Sequence, residues 1–138
     1  MSKWILVALL VLQAHFAVSY LVPLDEPSQR EFGGLLRWVW PWAGGDGGLL
    51  GRVTTGEGGP LPSLFLALLA GAAFLLAALS VVGWWVPAGW VRPLAGAGAT
   101  LLLGLLALFF GPTKLLPIAL ALGTLYVSLA HPAALATE

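Results

Sequence analysis

Four residues, Gln13, His15, Arg92 and His131, offer most of the chemistry in the apolar parts of this chain. The two histidines raise the question of a metal site, because imidazole is the commonest metal ligand. Gln13 is a neutral donor and acceptor of the kind that pairs helices in lipid. Arg92 lies in WWVPAGWVRP, residues 84–93, where indoles surround a guanidinium. That setting suits a lipid headgroup or other anion, or a plain cationic anchor at a membrane surface. The chain has no Ser-His-Asp set, no helix with paired carboxylates and no HExxH. It has no cysteine, which removes thiolate metal sites, a CxxC redox pair and a Cys nucleophile. These residues name no catalytic, metal or cofactor site, and the chain does not read as an enzyme.

The elements that carry these residues are four hydrophobic runs, Trp4–Val22, Leu64–Trp85, Leu94–Phe110 and Leu115–Ala130. None contains Asp, Glu, Lys or Arg. At 1.5 Å per residue, each is about the length needed to cross a hydrocarbon core roughly 30 Å thick. The 138 residues are 59% hydrophobic and 9% charged, against about 25% charged in ordinary soluble domains. The expected fold is all-α: a four-span transmembrane antiparallel helix bundle forming one membrane domain over residues 1–138. With six basic and six acidic residues the net charge is zero, so there is no basic patch for nucleic acid. Pumps and proton relays usually keep an ionisable group at membrane depth, and this chain has almost none. The first run also resembles a signal peptide, with Lys3 before it and Ala17-Val18-Ser19 as a small-x-small site. Its length favours an uncleaved span.

Four spans put both chain ends on one side, and this decides the histidine question. His15 lies eleven residues beyond Trp4, about 16 Å into the membrane, whereas His131 ends the last span at the surface. Ligands of one metal must each lie about 2 Å from it, so the two cannot share an ion or a haem. His15 is expected to hydrogen-bond across the helices and His131 to cap at the interface. Gln13 and His15 are about 200° apart on the helix, at 100° per residue, and cannot face one neighbour. Helix 1 therefore looks built to contact something besides the other spans.

Between the first two runs, Ser28 and Glu31 fit a capping box. Phe32, Leu35, Leu36, Val39 and Trp40 follow at helical spacing on one face. This predicts a short interfacial amphipathic helix over about 29–40, with Trp38, Trp40 and Trp42 at indole depth. Residues 43–60 form a glycine-rich loop without the Gly-Lys-Ser/Thr of a phosphate loop. Pro93 is placed to open helix 3, Thr113 to cap helix 4, and Lys114 to anchor at the surface opposite Arg92. Lys3 before an apolar run favours both termini inside, although a bare count of Lys and Arg favours the reverse.

Small residues mark where helices approach closely in lipid. Ala70, Ala73, Ala77 and Ser80 form a stripe on helix 2; Gly96, Thr100, Gly104 and Ala107 form one on helix 3. Helices 2 and 3 are expected to pack closest, through Ala73, Ala77, Gly96, Thr100 and Gly104.

The stretch WWVPAGWVRPLAGAGATLLLGLLALFFGP resembles the third-helix region of small bacterial four-helix membrane proteins. The Trp-x-Arg-Pro turn and the small-residue helix carry the likeness. It implies a four-span fold and brings no activity. The span count is also similar to DoxX-like families, but Trp4–Val22 lacks their Arg and Gly-rich pattern, so no redox role is transferred. The Leu, Ala, Gly and Val bias fits a GC-rich bacterial genome, which makes the inner membrane the expected location. The expected function is a non-catalytic structural or accessory subunit that docks to membrane partners or to copies of itself. The alternative is a small permease or channel-like protein for an uncharged or lipidic solute. A permease would gather Gln13, His15, Ser80, Thr100, Thr124, Tyr126 and Ser128 around one cavity.

Overall fold

A computed structural model describes residues 2–21, 38–42 and 61–135. Every regular element among them is helical. Four long helices, α1 (Lys3–Val18), α2 (Leu61–Val82), α3 (Val91–Leu108) and α4 (Leu115–Ala130), are joined or extended by short 3₁₀ turns. With those turns included, four segments are long and apolar enough to cross a membrane: Lys3–Leu21, Pro62–Val82, Ala88–Leu108 and Pro112–Ala130. Most of the expected interfacial helix at 29–40, and the loop at 43–60, fall outside the described residues. Within the short described piece, Trp38 and Val39 are helical and Trp40 is a bend.

The helices end where the local backbone requires it. The second hydrophobic run was expected to remain helical to Trp85, but α2 stops at Val82. Gly83 (φ 78°) and Trp85 (φ 64°) both adopt left-handed backbone, which a right-handed helix cannot continue through. Trp85 is the only non-glycine residue described with positive φ, and its indole is 91% exposed. The turn therefore carries local strain while projecting an aromatic outward. Helix α3 begins at Val91, two residues before Pro93. A proline in the first turn costs no hydrogen bond, because those N–H groups have no intrahelical acceptor. Pro117 sits likewise in the first turn of α4.

Helix α2 is central, with its most extensive packing against α1 and α3; α4 packs on α3 and only lightly touches α1. Two glycines set the close approaches. An added Cβ at Gly71 would lie 2.5 Å from Val18 Cγ2, so α1 lies directly against α2 there. An added Cβ at Gly98 would lie 3.1 Å from the ring of Phe74, a fully buried side chain of α2.

This second contact corrects the expected α2–α3 face. Ala73 and Ala77 on α2 are buried, as are Ala70 and Ser80. On α3 the buried residues are Val91, Ala95, Gly98, Ala99, Leu102, Leu105 and Leu106, not the Gly96, Thr100, Gly104 stripe. Gly96 meets Ser128 of α4, and no neighbour lies within 4 Å of a Cβ at Gly104. Thr100 is exposed, and its hydroxyl donates to the Gly96 carbonyl of its own helix at 2.9 Å. The large apolar side chain Phe74 fills the contact at Gly98 instead, and dispersion there favours the fuller surface.

Candidate functional site

The polar side chains of the spans sit in separate places. Gln13 is 1% exposed. Its Nε2 donates to Thr124 Oγ1 on α4 at 2.9 Å and to the Leu9 carbonyl at 3.4 Å. These groups border a groove of about 240 Å³ between α1 and α4, whose other walls include Leu9, Leu120, Gly123 and Val127. The groove exists because α1 and α4 barely touch. Gln13 Oε1 is buried and has no hydrogen-bond partner; Ser63 Oγ, in the first turn of α2, is the other such atom among the described residues.

His15 faces elsewhere. Its Nε2 lies 3.0 Å from the Val39 carbonyl, and its ring meets Trp40 edge-on at 5.0 Å between centroids. A carbonyl can only accept, so this bond needs the proton on Nε2. His15 therefore ties the Trp38–Trp42 segment to α1. A shallow apolar cleft of about 330 Å³ opens beside it, bordered by Val11, Val18, Trp40 and Leu75. Gln13 and His15 do contact different neighbours, and both neighbours belong to this chain.

Arg92 and His131 lie near the far end of α4. Arg92 Nε donates to the Ser128 carbonyl at 2.7 Å. In a continuing helix that carbonyl would accept from residue 132, but Pro132 has no N–H. Arg92 thus supplies the missing donor and caps α4 from α3. His131 lies 3.3 Å from the Tyr126 hydroxyl. Exposed indoles at Trp4, Trp84, Trp85 and Trp90 belong to the same end of the helices, with Lys3 over the Trp4 ring at 5.6 Å. This is the composition of a membrane interface.

The opposite end is closed by Trp42, which is 1% exposed. Its Nε1 donates to the Phe16 carbonyl at 2.6 Å, and its ring packs on Tyr20 and Phe109. Lys114 Nζ lies 5.0 Å from the same ring. Lys114 was expected to anchor at the surface, but it is 2% exposed, with its ammonium over the Trp42 ring. Thr113 does not cap α4 with its side chain; its hydroxyl donates to the Pro41 carbonyl at 3.3 Å. The sequence placed Trp42 only at interfacial indole depth, whereas here it is buried at the end of the helices. The signal for it was only the Trp-Pro-Trp grouping, which reads equally well as an interfacial belt.

Two further serines pair locally. Ser80 donates to the Pro87 carbonyl, and Ser128 to the Thr124 carbonyl. No protein-family model, curated protein or solved structure matches this chain. Among the described residues no group of three or more His, Cys, Asp or Glu is placed to hold a metal ion. The geometry offers hydrogen bonding in an apolar groove, a capped helix end and an aromatic cluster.

Proposed function

We propose that the chain is an antiparallel four-span bundle of a bacterial inner membrane, and that its role is non-catalytic: an accessory subunit docking to partner membrane proteins or to copies of itself. The observation that carries this reading is the scatter of its polar groups. Gln13 pairs with Thr124, His15 with Val39, Ser80 with Pro87, Thr100 with Gly96, and Tyr126 with His131. A water-filled path for a polar solute needs such groups along one cavity, and here they serve the chain's own backbone and neighbours. Helix α4 supports the docking reading as well. Only 22% of its membrane window is buried, against 39% to 44% for the other three. The permease alternative draws on one observation, the apolar groove at Gln13 and Thr124.

Extraction in a mild detergent followed by native mass measurement tests the docking role. A companion chain, or a multiple of the 14.4 kDa mass, is the expected result. A clean monomer without a companion would sink the accessory reading.

For orientation, the proposal places both termini on the cytoplasmic side. The α2–α3 turn then faces the same side. The chain lacks cysteine, and an added side chain at Gly89 meets no atom within 4 Å. A Gly89→Cys variant should therefore react with a membrane-impermeant maleimide only after spheroplasts are lysed. Labelling of intact spheroplasts would reverse the topology.

A further inference from the structure

We infer that the groove between α1 and α4 is a binding site for a neutral, lipid-soluble molecule bearing a hydroxyl group, which would hydrogen-bond the side-chain carbonyl of Gln13. The inference rests on the helices crossing a bilayer and not on the docking role.

The starting point is an acceptor without a donor. Gln13 Oε1 is buried and unpartnered, while Nε2 is committed to Thr124 Oγ1 and Leu9 O. Exchanging the two amide atoms would let the Thr124 hydroxyl donate to the oxygen but would leave Nε2 as the unpartnered group in its place. It would also set the Gln13 carbonyl oxygen against the Leu9 carbonyl, acceptor facing acceptor. Backbone N–H groups in the middle of α1 and α4 are occupied by their own helices. Among the described residues no donor reaches Oε1.

The groove limits what can bring that donor. Among the described residues its walls carry no charge, which suits a neutral occupant. Gln13 lies ten residues beyond Lys3, about 15 Å along a helix and so near the middle of a hydrocarbon core. A phospholipid headgroup stays at the surface, and an acyl chain has no donor to give. A helix with its side chains is about 10–12 Å across, too wide for a groove of about 240 Å³. A slender apolar body with one hydroxyl, of the long-chain alcohol or phenol class, meets all three conditions. Gly123 helps to leave the space open, since no atom lies within 4 Å of where its Cβ would be. Oε1 itself has almost no accessible surface; the terminal torsion of a glutamine is broad and soft, so binding would turn the amide to bring Oε1 to the groove at the expense of the longer bond to Leu9.

The full chain in nanodiscs of a zwitterionic phospholipid provides the test. The probe is a photoreactive diazirine derivative of 1-decanol, with 1-decanol and 1-methoxydecane as competitors. The two competitors share an apolar body, but the ether has no donor. Labelling is expected on the groove-facing parts of α1 and α4, around Leu9 and Leu120. The alcohol should compete about fivefold better than the ether, the effect of one hydrogen bond inside a membrane. In Gln13→Leu that preference should vanish. Gly123→Leu should fill the groove and abolish the labelling. It replaces a poor helix former with a good one in open space, so retained helicity by circular dichroism shows that loss of labelling is not loss of fold.

Equal competition by the ether overturns the inference, as does an alcohol preference that survives Gln13→Leu. So does labelling that persists in Gly123→Leu or spreads evenly over lipid-facing residues. Crosslinking from the groove to a second polypeptide would assign it to a partner's side chain instead. A monomeric native mass leaves the inference standing while removing the docking role, so the two can fail separately.

Discussion

Replacing Gly71 with leucine should force α1 off α2 and cost roughly 3 kcal/mol or more of stability, beyond the usual range for an overpacked core. Even the first added carbon would lie 2.5 Å from Val18 Cγ2 and 3.8 Å from the Ala14 carbonyl. Val18 cannot easily swing away, because a β-branched side chain in a helix has one strongly preferred rotamer. Gly71→Ala meets the same first contact. It also gains about 1 kcal/mol of helix propensity, so its net loss should be small. Gly104→Leu is the control, since no atom lies within 4 Å of its Cβ position. Thermal unfolding in a mild detergent should rank the variants Gly104→Leu, Gly71→Ala, Gly71→Leu, with the last least stable. If Gly71→Leu and Gly104→Leu unfold alike, α1 does not lie against α2 at Gly71.

The two glycines of that comparison also show how far the sequence could be read. Uninterrupted apolar runs located all four long helices, because length and absence of charge are one-dimensional properties that lipid selects for. Which face of a helix turns inward is different. In a soluble protein the polar face marks the outside, but a helix apolar all round carries no such mark. The inner face of α2 was legible because alanine and serine repeat along it. On α3 the repeating small residues Gly96, Thr100 and Gly104 pointed away from the true contact. The inward position that matters, Gly98, does not stand out among its alanine and glycine neighbours. It is defined by Phe74, a residue of another helix, and no pattern within α3 can reveal it.

The polar residues were legible as a set but not as pairs. Gln13 and Thr124 were both candidates for a cavity, yet the bond between them spans 111 positions. Arg92 read as an anion site or an anchor; its bond to Ser128 follows from Pro132, forty residues later. The helix ends were misplaced for a local reason. Left-handed backbone at Gly83 is ordinary for glycine, but at Trp85 it is unusual and left no trace in residue type.

Trp42→Ala should produce the second large loss, about 3–5 kcal/mol, the range for removing a buried aromatic ring. The indole closes the end of the fold where α1 stops and α4 starts. It meets Tyr20 at 4.9 Å and Phe109 at 6.0 Å between centroids, both nearly perpendicular, with Lys114 Nζ 5.0 Å from its face. Alanine leaves a void among those groups and strips Lys114 of an aromatic partner. Because Lys114 is buried, that loss is felt more than at a wet surface. Trp42→Phe separates packing from hydrogen bonding. It keeps a ring in place but removes the Nε1–H that donates to the Phe16 carbonyl at 2.6 Å. That carbonyl still accepts from Ser19 Oγ at 3.2 Å, so it is not orphaned, and the cost should be about 1 kcal/mol. Adding Ser19→Ala to Trp42→Phe takes away the second side-chain donor. The double variant should therefore lose more than the two single losses combined, which a double-mutant cycle measured by thermal unfolding would read as coupling. Additive losses would mean that the two donors do not share the Phe16 carbonyl, and a loss below about 1 kcal/mol for Trp42→Ala would show that the indole is not packed at the end of the helices.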